Sequence, residues 1–278
     1  MNLTSPSQVK AWCIENGFHP NKVLGQNFLI DQNALKSIVD AGLENVRMFE
    51  CSNVRMAPHV LEIGPGLGVL TEEMLKRGCR VTAIEKDPVL AARLKESLGN
   101  PEGLEVIDGD ALDWIAHSNI QTFEQSNHFD VMISNLPYQA GTRILLELVK
   151  ARQLQSMTVL VQTEVAERLA AREGSKTRGL AGVWAQLDYD VRIVRKVSAS
   201  CFWPRPEIGS SVVRLDRHDR NLSLSDEERA LFHRLTKQAF EHRRKQLGSI
   251  FKDMIQSTAR AEELSNEDWI SLVKGLLK

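Results

Sequence analysis

The sequence predicts an α/β fold, with a parallel sheet covered by helices on both faces and a small all-α domain at the C-terminus. Two observations support this prediction. Short, largely apolar runs alternate with helical patterns between residues 59 and 215, and only helical patterns follow residue 221. Strands that are buried on both faces of a sheet have this apolar character. Their alternation with helices indicates parallel strands joined by helical crossovers.

The first 45 residues are expected to form a helical extension that precedes the sheet. The spacing of apolar residues predicts a helix from Ser5 to Asn16. Residues 17–30 contain Gly, Pro and Asn, which indicates an ordered loop. Asp31 stands where it would cap a second helix.

The sheet region contains seven predicted strands. They cover residues 59–63, 79–84, 104–108, 129–134, 157–162, 190–197 and 210–215. The predicted helices of the same region cover residues 69–77, 88–98, 142–151, 164–171 and 179–187. The last two strands form a hairpin-like pair, which would add an antiparallel edge to the sheet.

A polar linker over residues 216–221 is the best candidate for a domain boundary. We therefore expect a first domain over residues 1–217 and a second, helical domain over residues 218–278. Helices are predicted in the second domain over residues 225–241, 243–256 and 266–277. The first of these helices begins with a capping box formed by Ser225 and Glu228.

Composition excludes several classes of protein. A chain of 278 residues with 42% hydrophobic and 26% charged residues is ordinary for a globular protein with a sizeable core. No apolar run approaches ~18 residues, so we expect no membrane span, and the N-terminus lacks the pattern of a secretory signal. Four scattered cysteines (Cys13, Cys51, Cys79 and Cys201) argue against a disulfide framework or a metal site and fit a cytoplasmic location.

Charge is distributed unevenly along the chain. Residues 1–135 hold 11 Lys and Arg against 18 Asp and Glu, a charge of −7, whereas residues 136–278 hold 24 against 18, a charge of +6. Such asymmetry is typical of a protein whose basic half binds a polyanion, although an ordinary solvated surface explains it equally well.

A glycine loop, Gly64-Pro65-Gly66-Leu67-Gly68, follows the first predicted strand. Small residues there let the backbone pass close to a ligand before it enters a helix. Val69 stands where a dinucleotide fingerprint has its third glycine, and the tighter spacing suits S-adenosylmethionine, which has no pyrophosphate. Glu85 follows the second strand, where a carboxylate accepts both hydroxyls of a ribose. These features predict a cofactor site.

Asp110, in Gly109-Asp110-Ala111, follows the third predicted strand. Its carboxylate is suited to accept the amino hydrogens of the cofactor's adenine. Taken alone, the residue is better explained as a helix N-cap.

The segment Asn135-Leu136-Pro137-Tyr138 follows a later strand and predicts the transfer chemistry. The exocyclic amine of adenine is a poor nucleophile, because its lone pair is delocalised into the ring. Two acceptors for its hydrogens, the Asn135 side-chain oxygen and the Leu136 carbonyl, favour a pyramidal nitrogen and the positive charge that develops. Pro137 fixes the backbone, and Tyr138 is suited to stack on an extruded base. With the glycine loop, the segment predicts methyl transfer from S-adenosylmethionine to an adenine N6.

Further motifs carry a resemblance over nearly the whole chain. They are Leu24-Gly25-Gln26-Asn27-Phe28-Leu29, Leu61 to Gly68, Ala83 to Asp87, Gln162 to Leu169, Phe202-Trp203-Pro204-Arg205-Pro206, Ser211 to Leu215 and Arg243 to Leu247. With these motifs the chain resembles the small-subunit ribosomal RNA adenine N6,N6-dimethyltransferases, the family whose loss confers kasugamycin resistance. The resemblance implies a Rossmann-like methyltransferase sheet with a helical RNA-binding domain.

The resemblance also implies roles for particular residues. Those expected to hold the cofactor are Gln26, Asn27, Leu29, Gly64, Gly66, Glu85, Lys86, Asp110, Ala111 and Asn135. Asn135 to Tyr138 are expected to be catalytic, with Phe202 on the face of the target adenine opposite Tyr138. From its sequence context alone, Phe202 is better explained as a hydrophobic anchor. Two features depart from the family pattern: Gln139-Ala140-Gly141 replaces Asn-Ile-Ser, and the connection over residues 44–58 is longer and more apolar.

RNA contacts are expected from basic residues of the second half of the chain. The candidates are Arg205, Arg214, Arg243, Arg244 and Lys245. Such a basic run is usually a solvated face, but its clustering with other cations favours phosphate contacts.

The expected function is dimethylation of two adjacent adenines in the 3′-terminal hairpin of small-subunit ribosomal RNA. The expected partner is this RNA or the immature small subunit, with no metal and no membrane, and a monomer is expected. Two alternatives remain: a large-subunit adenine methyltransferase of the macrolide-resistance type, and an assembly or transcription factor that acts mainly by binding.

Overall fold

The computed structural model describes residues 1–21, 24–44, 46, 50–51, 54–55, 57–117 and 129–277. The chain forms two compact units. The first comprises Met1–Thr163 and Ile193–Asp216, and the second comprises Glu164–Arg192 and Arg217–Lys278. The boundary predicted near residue 217 left residues 164–192 in the first domain. The structure places them in the second unit, because Val183 and Leu187 belong to its apolar core.

The N-terminal part of the first unit contains two helices, α1 (Pro6–Glu15) and α2 (Gln32–Leu43), separated by the short strand β1 (Phe28–Leu29). The Asp31 side chain accepts a hydrogen bond from the Ala34 N–H over 2.7 Å, as its predicted capping role requires. The strands β2 (Glu50–Cys51) and β3 (Val54–Arg55) pair in antiparallel orientation. The other residues of the long connection over 44–58, including Met48, Phe49 and Met56, lie largely outside the described residues.

The predicted α/β sheet is confirmed. Its strands are β4 (His59–Ile63), β5 (Arg80–Glu85), β6 (Leu104–Asp108), β7 (Val131–Asn135), β8 (Ser156–Gln162), β9 (Tyr189–Val197) and β11 (Ser210–Arg217). They lie in the order β6-β5-β4-β7-β8-β11-β9. Neighbouring strands from β6 to β8 are parallel, and β11 pairs antiparallel with β8. A separate short strand, β10 (Phe202–Trp203), pairs with β1.

Helices of the first unit pack against this sheet. They include α3 (Val69–Lys76), α4 (Pro88–Ser97), α5 (Ala111–His117) and α6 (Gly141–Ala151). All five residues of β4 are buried, so both of its faces are covered. Strand order reverses between β4 and β7, and ligands of open α/β sheets bind beyond the carboxyl ends of the strands at such a point.

The second unit is mainly helical, with α7 (Thr163–Ala170), α8 (Leu180–Asp188), α9 (Asp226–Glu241), α10 (Leu247–Phe251) and α11 (Asn266–Leu276). Its core contains Phe232 and Trp269. A buried ion pair joins Arg229 of α9 to Asp188 of α8 over 2.8 Å, and the predicted capping box of Ser225 and Glu228 is present. No helix among the described residues has the length and apolar character needed to cross a bilayer.

Two helix predictions differ from the structure. The helix predicted over 243–256 is shorter, because its first residues form a turn and a 3-10 segment, Lys252–Met254, ends it. The N–H groups of Leu247 and Gly248 bond instead to the carbonyls of Ala259 and Ser257. Helix α5 was not predicted, because its seven residues show no clear apolar period.

Candidate cofactor and base-binding pocket

A pocket opens at the carboxyl ends of the central strands of the first unit. It is lined by residues 24–29 of the N-terminal loop and by residues that end or follow strands, namely 62–67, 84–86, 109–111 and 135–140. All ten residues predicted to hold the cofactor line this pocket, as do Leu136, Pro137 and Tyr138.

The glycine loop forms one wall of the pocket. Gly66 and Gly68 have φ angles of +60° and +89°, which favour glycine. A Cβ atom on Gly66 would lie 3.1 Å from the Phe28 ring, and one on Gly68 would lie 2.6 Å from a Leu94 methyl group. The loop therefore needs glycine both for its backbone conformation and for its packing.

Glu85 supports this loop from the end of β5. Its carboxylate accepts the N–H of Gly66 over 3.0 Å and the N–H of Asp87 over 2.9 Å. A carboxylate has about four acceptor positions, so acceptor capacity remains for a ligand. Burial raises the pKa of Glu85 above its ordinary value, and the N–H donors of Asp87 and Gly66 offset this only in part.

Glu62 is a second carboxyl group of the pocket that was not among the predicted site residues. It lies on β4, is 1% exposed, and lines the pocket beside the glycine loop. The Thr71 hydroxyl donates a hydrogen bond to its Oε2 over 2.6 Å. Burial raises the pKa of Glu62 to about 8: the Thr71 hydrogen bond opposes this rise and the Glu85 charge adds to it. Only the motif position of Glu62, two residues before Gly64, was available as a signal.

Asp110 caps a helix and also forms an ion pair with Lys86. One carboxylate oxygen accepts the Leu112 N–H over 2.8 Å and so caps α5, and the other accepts from Lys86 Nζ over 2.7 Å. The hydrogen bond from Lys86 holds the pKa of Asp110 below its ordinary value. Any contact with a cofactor would use the remaining lone pairs of a carboxylate that is already fixed.

Asn135 is oriented by the N-terminal loop. Its Nδ2 donates a hydrogen bond to the Asn27 carbonyl over 3.2 Å, which directs Oδ1 away from that carbonyl. The Leu136 N–H bonds to the Leu160 carbonyl over 3.1 Å, so the backbone is fixed there as well. Within the described ranges, no donor bonds to Asn135 Oδ1 or to the Leu136 carbonyl. Both acceptors that the sequence predicted for the amine are therefore available.

Tyr138 is held at both of its ends. Its hydroxyl group lies 2.7 Å from the Ser210 hydroxyl on β11. Its backbone N–H lies close to Gly25, where a Cβ atom would be 3.3 Å from the Tyr138 nitrogen. Burial raises the pKa of the Tyr138 hydroxyl. The ring is therefore a fixed surface at the pocket rather than a free side chain.

Gln26 stabilises the N-terminal loop, because both ends of its side-chain amide form hydrogen bonds within the protein. Its Nε2 donates to Asp87 Oδ2 over 2.8 Å, and its Oε1 accepts the Asn21 N–H over 2.7 Å. Asp87 in turn caps α4 through the N–H groups of Val89 and Leu90. This chain of hydrogen bonds ties the loop to the carboxyl end of β5.

Phe202 does not line the pocket. Its side chain is 2% exposed and belongs to the main apolar core with Leu29, its partner in the β1–β10 pair. This placement matches the alternative explanation, a hydrophobic anchor. The role of Phe202 against a target base stays a prediction.

The residues predicted to bind RNA have different environments. Arg205 is exposed. Arg214 does not fit the expectation: it is 2% exposed and donates hydrogen bonds to Asp216 and to the carbonyls of Ala41 and Glu44. A guanidinium with these partners anchors α2 to β11 and is not accessible to phosphate.

The residues of the basic run in the second unit also differ in their exposure. Arg243 is half-buried, and it donates to the Lys176 carbonyl over 2.5 Å and lies 3.6 Å from Glu262. Arg244 and Lys245 are exposed. Only the last two are placed to meet a polyanion directly. Across the part of the chain that the structure describes, no group of three His, Cys, Asp or Glu residues is arranged to hold a metal ion.

Known proteins are similar to this chain in sequence and in fold. A family model described as ribosomal RNA adenine dimethylase matches residues 17–274. The Ribosomal RNA small subunit methyltransferase A of Deinococcus radiodurans is 42% identical over 214 residues, covering 77% of this chain and 67% of that protein. The protein of the same name from Protochlamydia amoebophila is 34% identical, covering 98% and 96%.

Solved structures agree with the fold. A dimethyladenosine transferase from Plasmodium falciparum has a TM-score of 0.71 at 23% identity, over 90% of this chain and 97% of that chain. The 23S rRNA methyltransferase ErmE has a TM-score of 0.65 at 22% identity, over 91% and 100%. These two likenesses concern the fold alone. Because the family model extends over nearly the whole length and the two curated relatives cover 77% and 98% of it, the chain belongs to the ribosomal RNA adenine dimethylase family.

Proposed function

We propose that the protein transfers methyl groups from S-adenosylmethionine to N6 of two adjacent adenines in the 3′-terminal hairpin of small-subunit ribosomal RNA. The products are N6,N6-dimethyladenines, and the substrate is the RNA within the immature small subunit. The family membership supports adenine dimethylation. The names of the curated relatives support the small subunit as the source of the RNA.

The orientation of Asn135 is the observation that carries the proposed chemistry. Because Asn27 occupies its amide nitrogen, Asn135 presents Oδ1 as an acceptor, and among the described residues no donor bonds to the carbonyl of the following residue, Leu136. Two such acceptors bind the two hydrogens of an adenine amine and stabilise the positive charge on nitrogen during transfer. Tyr138, fixed by Ser210, supplies a ring against which an extruded base stacks. No general base is required, because the proton leaves the cationic amine after transfer, to solvent.

The pocket fits the cofactor that this chemistry needs. The open acceptor positions of Glu85 suit the two ribose hydroxyls, and the glycine loop leaves room for close approach of the nucleoside. Lys86, Asp110 and Ala111 would flank the adenine, and Asn27 and Leu29 would close the opposite side. When bound, S-adenosylmethionine supplies an electrophilic methyl group on its sulfonium. The residues of the pocket position the amine in line with it.

Neither alternative function is favoured. The relatives named above are small-subunit enzymes, and the likeness to the 23S rRNA methyltransferase concerns the fold alone. A factor that acts only by binding would not need Glu85, Asn135 and Tyr138 held in this arrangement.

The proposal is tested with purified protein, S-adenosylmethionine and immature small subunits from cells that lack the endogenous enzyme. Mass mapping of the RNA should find two adjacent N6,N6-dimethyladenines near its 3′ end, and naked large-subunit RNA should stay unmodified. The Asn135→Ala variant is the matched control. Methylation of large-subunit RNA alone, or none on any RNA, would overturn the proposal.

A further inference from the structure

Glu62 is a buried acid of the cofactor pocket that the proposed transfer does not use. It is 1% exposed and lines the pocket, and among the described residues one donor, the Thr71 hydroxyl, bonds to it over 2.6 Å. Among the described residues, no Lys, Arg or His side chain forms an ion pair with it. A buried carboxylate without a cationic partner is strongly unfavourable, so the neutral acid is the stable form of the empty pocket.

The elements packed around Glu62 explain why it lacks a counter-charge. Strand β7 has no charged residue, and β5 brings the carboxyl group of Glu85. On α3, Thr71 faces Glu62. The charged residues of α3 are paired elsewhere: Lys76 with Glu72, and Glu73 with Arg77, which also contacts Asp40 of α2. Lys86, the cation that follows β5, is bound to Asp110. Within the described part of the chain, the polar neighbours of Glu62 are therefore a like charge and one hydroxyl group.

The two ligands that the proposed reaction presents to this pocket differ by one charge. Both carry a zwitterionic amino-acid tail, in which ammonium and carboxylate balance. The cofactor adds a sulfonium cation, and the product left after methyl transfer has a neutral thioether at the same place. A charge-dependent group of the pocket therefore distinguishes them.

We propose that Glu62 senses this charge: its carboxyl group is neutral when the pocket is empty or holds the thioether product, and it ionises when the sulfonium cofactor binds. This inference rests on the proposed function. Thr71 donates to Oε2, so the proton resides on Oε1. When the cofactor binds, the Oε1–H bond breaks, the electron pair stays on the carboxylate, and the proton passes to solvent. After transfer, the acid regains a proton and loses its attraction for the ligand.

The expected size of the effect follows from the environment of Glu62. Its pKa of about 8 in the empty pocket makes it mostly protonated at pH 7. A sulfonium within ~4–6 Å would lower the pKa of the carboxyl by ~1–3 units, which leaves it between about half and almost fully ionised at that pH. Between the two pKa values, each rise of one pH unit should strengthen cofactor binding about tenfold, with little change for the thioether.

Isothermal titration calorimetry of the full chain tests this directly. S-adenosylmethionine and S-adenosylhomocysteine are each titrated at pH 7 in phosphate and in Tris, whose heats of protonation differ. The expected result is release of roughly 0.4–0.9 of a proton with the first ligand, as the ~1–3 unit shift requires, and little with the second. Glu62→Gln, a neutral isostere of the neutral acid, should abolish the release, whereas Glu102→Gln, an exposed acid outside the pocket, should retain it.

Each calorimetric result bears on either the inference or the proposed function. Equal proton release with both ligands, no release in the parent protein, or full release in Glu62→Gln each overturns the inference. The parent protein in two buffers decides the first two outcomes even where the variant fails to fold. Absence of any binding of S-adenosylmethionine overturns the proposed function together with this inference, whereas tight binding without proton exchange overturns the inference alone.

Discussion

Replacement of Glu85 tests a carboxylate that supports the glycine loop and, in our proposal, holds the ribose of the cofactor. Its oxygens accept the N–H groups of Gly66 and Asp87, and the side chain is 6% exposed. In Glu85→Ala both N–H groups lose their acceptor, at about 1–3 kcal/mol for each buried group. Removal of a buried carboxyl whose pKa is raised offsets part of this loss. We therefore expect the free energy of unfolding to fall by about 1–3 kcal/mol.

Cofactor affinity should fall further than stability alone explains. Hydrogen bonds from ribose hydroxyls to a charged acceptor contribute about 1.5–3 kcal/mol, which corresponds to a roughly 10- to 150-fold weaker Kd. Glu85→Gln should separate the two effects. Its carbonyl oxygen still accepts one N–H, so stability falls less. Its amide nitrogen cannot accept a hydroxyl, so affinity is still reduced.

Denaturant unfolding measures the first quantity and calorimetric titration with S-adenosylmethionine measures the second. Glu102→Ala, which removes an exposed carboxylate before β6, is the matched control and should leave both unchanged. Parental affinity in a folded Glu85→Ala variant would refute the ribose assignment. Parental stability would refute the support of the glycine loop.

Four further predictions follow from the site and the second unit. Asn135→Ala should lower single-turnover methylation by roughly 100-fold or more, while RNA binding is retained; a parental rate would refute the catalytic assignment. Phe202→Ala should lower the free energy of unfolding by about 3–5 kcal/mol, because the ring is 2% exposed in the core; an unchanged denaturation midpoint would contradict this placement. Charge reversal of Arg244 and Lys245 should weaken RNA binding and flatten the plot of log affinity against log salt, without changing cofactor affinity. Glu62 should make the apo protein less stable as pH rises, because its raised pKa gives a contribution that is complete below the unfolded pKa and is lost as pH rises through about 8; Glu62→Gln should remove that slope between pH 5 and 8.

The control for the RNA prediction is charge reversal of Lys10 and Lys95, two exposed residues of the acidic first half. An equal loss of affinity in this control would show that only net charge matters. For Glu62, denaturant titrations at several pH values measure how the free energy of unfolding changes with pH. A parental pH slope retained in Glu62→Gln would assign the titration to another group.

Local patterns predicted most of the first unit. The strands over 59–63 and 104–108 have the bounds that the sequence predicted, because each is a short apolar run that ends at Gly, Pro or a polar turn. The pocket was predictable for the same reason. The glycines follow a strand, Glu85 and Asn135 each end one, and the carboxyl ends of parallel strands meet at one edge.

Features that depend on distant residues were not predictable from local patterns. The burial of Arg214 requires carbonyls of α2 about 170 positions earlier in the chain, so the sequence showed only a cation on a strand. Glu62 appeared as an ordinary strand residue, because its unusual protonation arises from Thr71, Glu85 and the exclusion of water. The grouping of residues 164–192 with the C-terminal helices likewise depends on packing, since the polar linker at 216–221 gave the stronger local signal.

The pairing of β1 with β10 has a consequence for synthesis of the protein. Phe28 and Leu29 belong to the wall of the pocket, and their partners are Trp203 and Phe202, about 175 positions later. Contacts so distant in sequence close a long loop and form late. A nascent chain that ends before residue 202 lacks the strand against which this wall is built. On the ribosome, the pocket is therefore completed only after residue 203 has been translated.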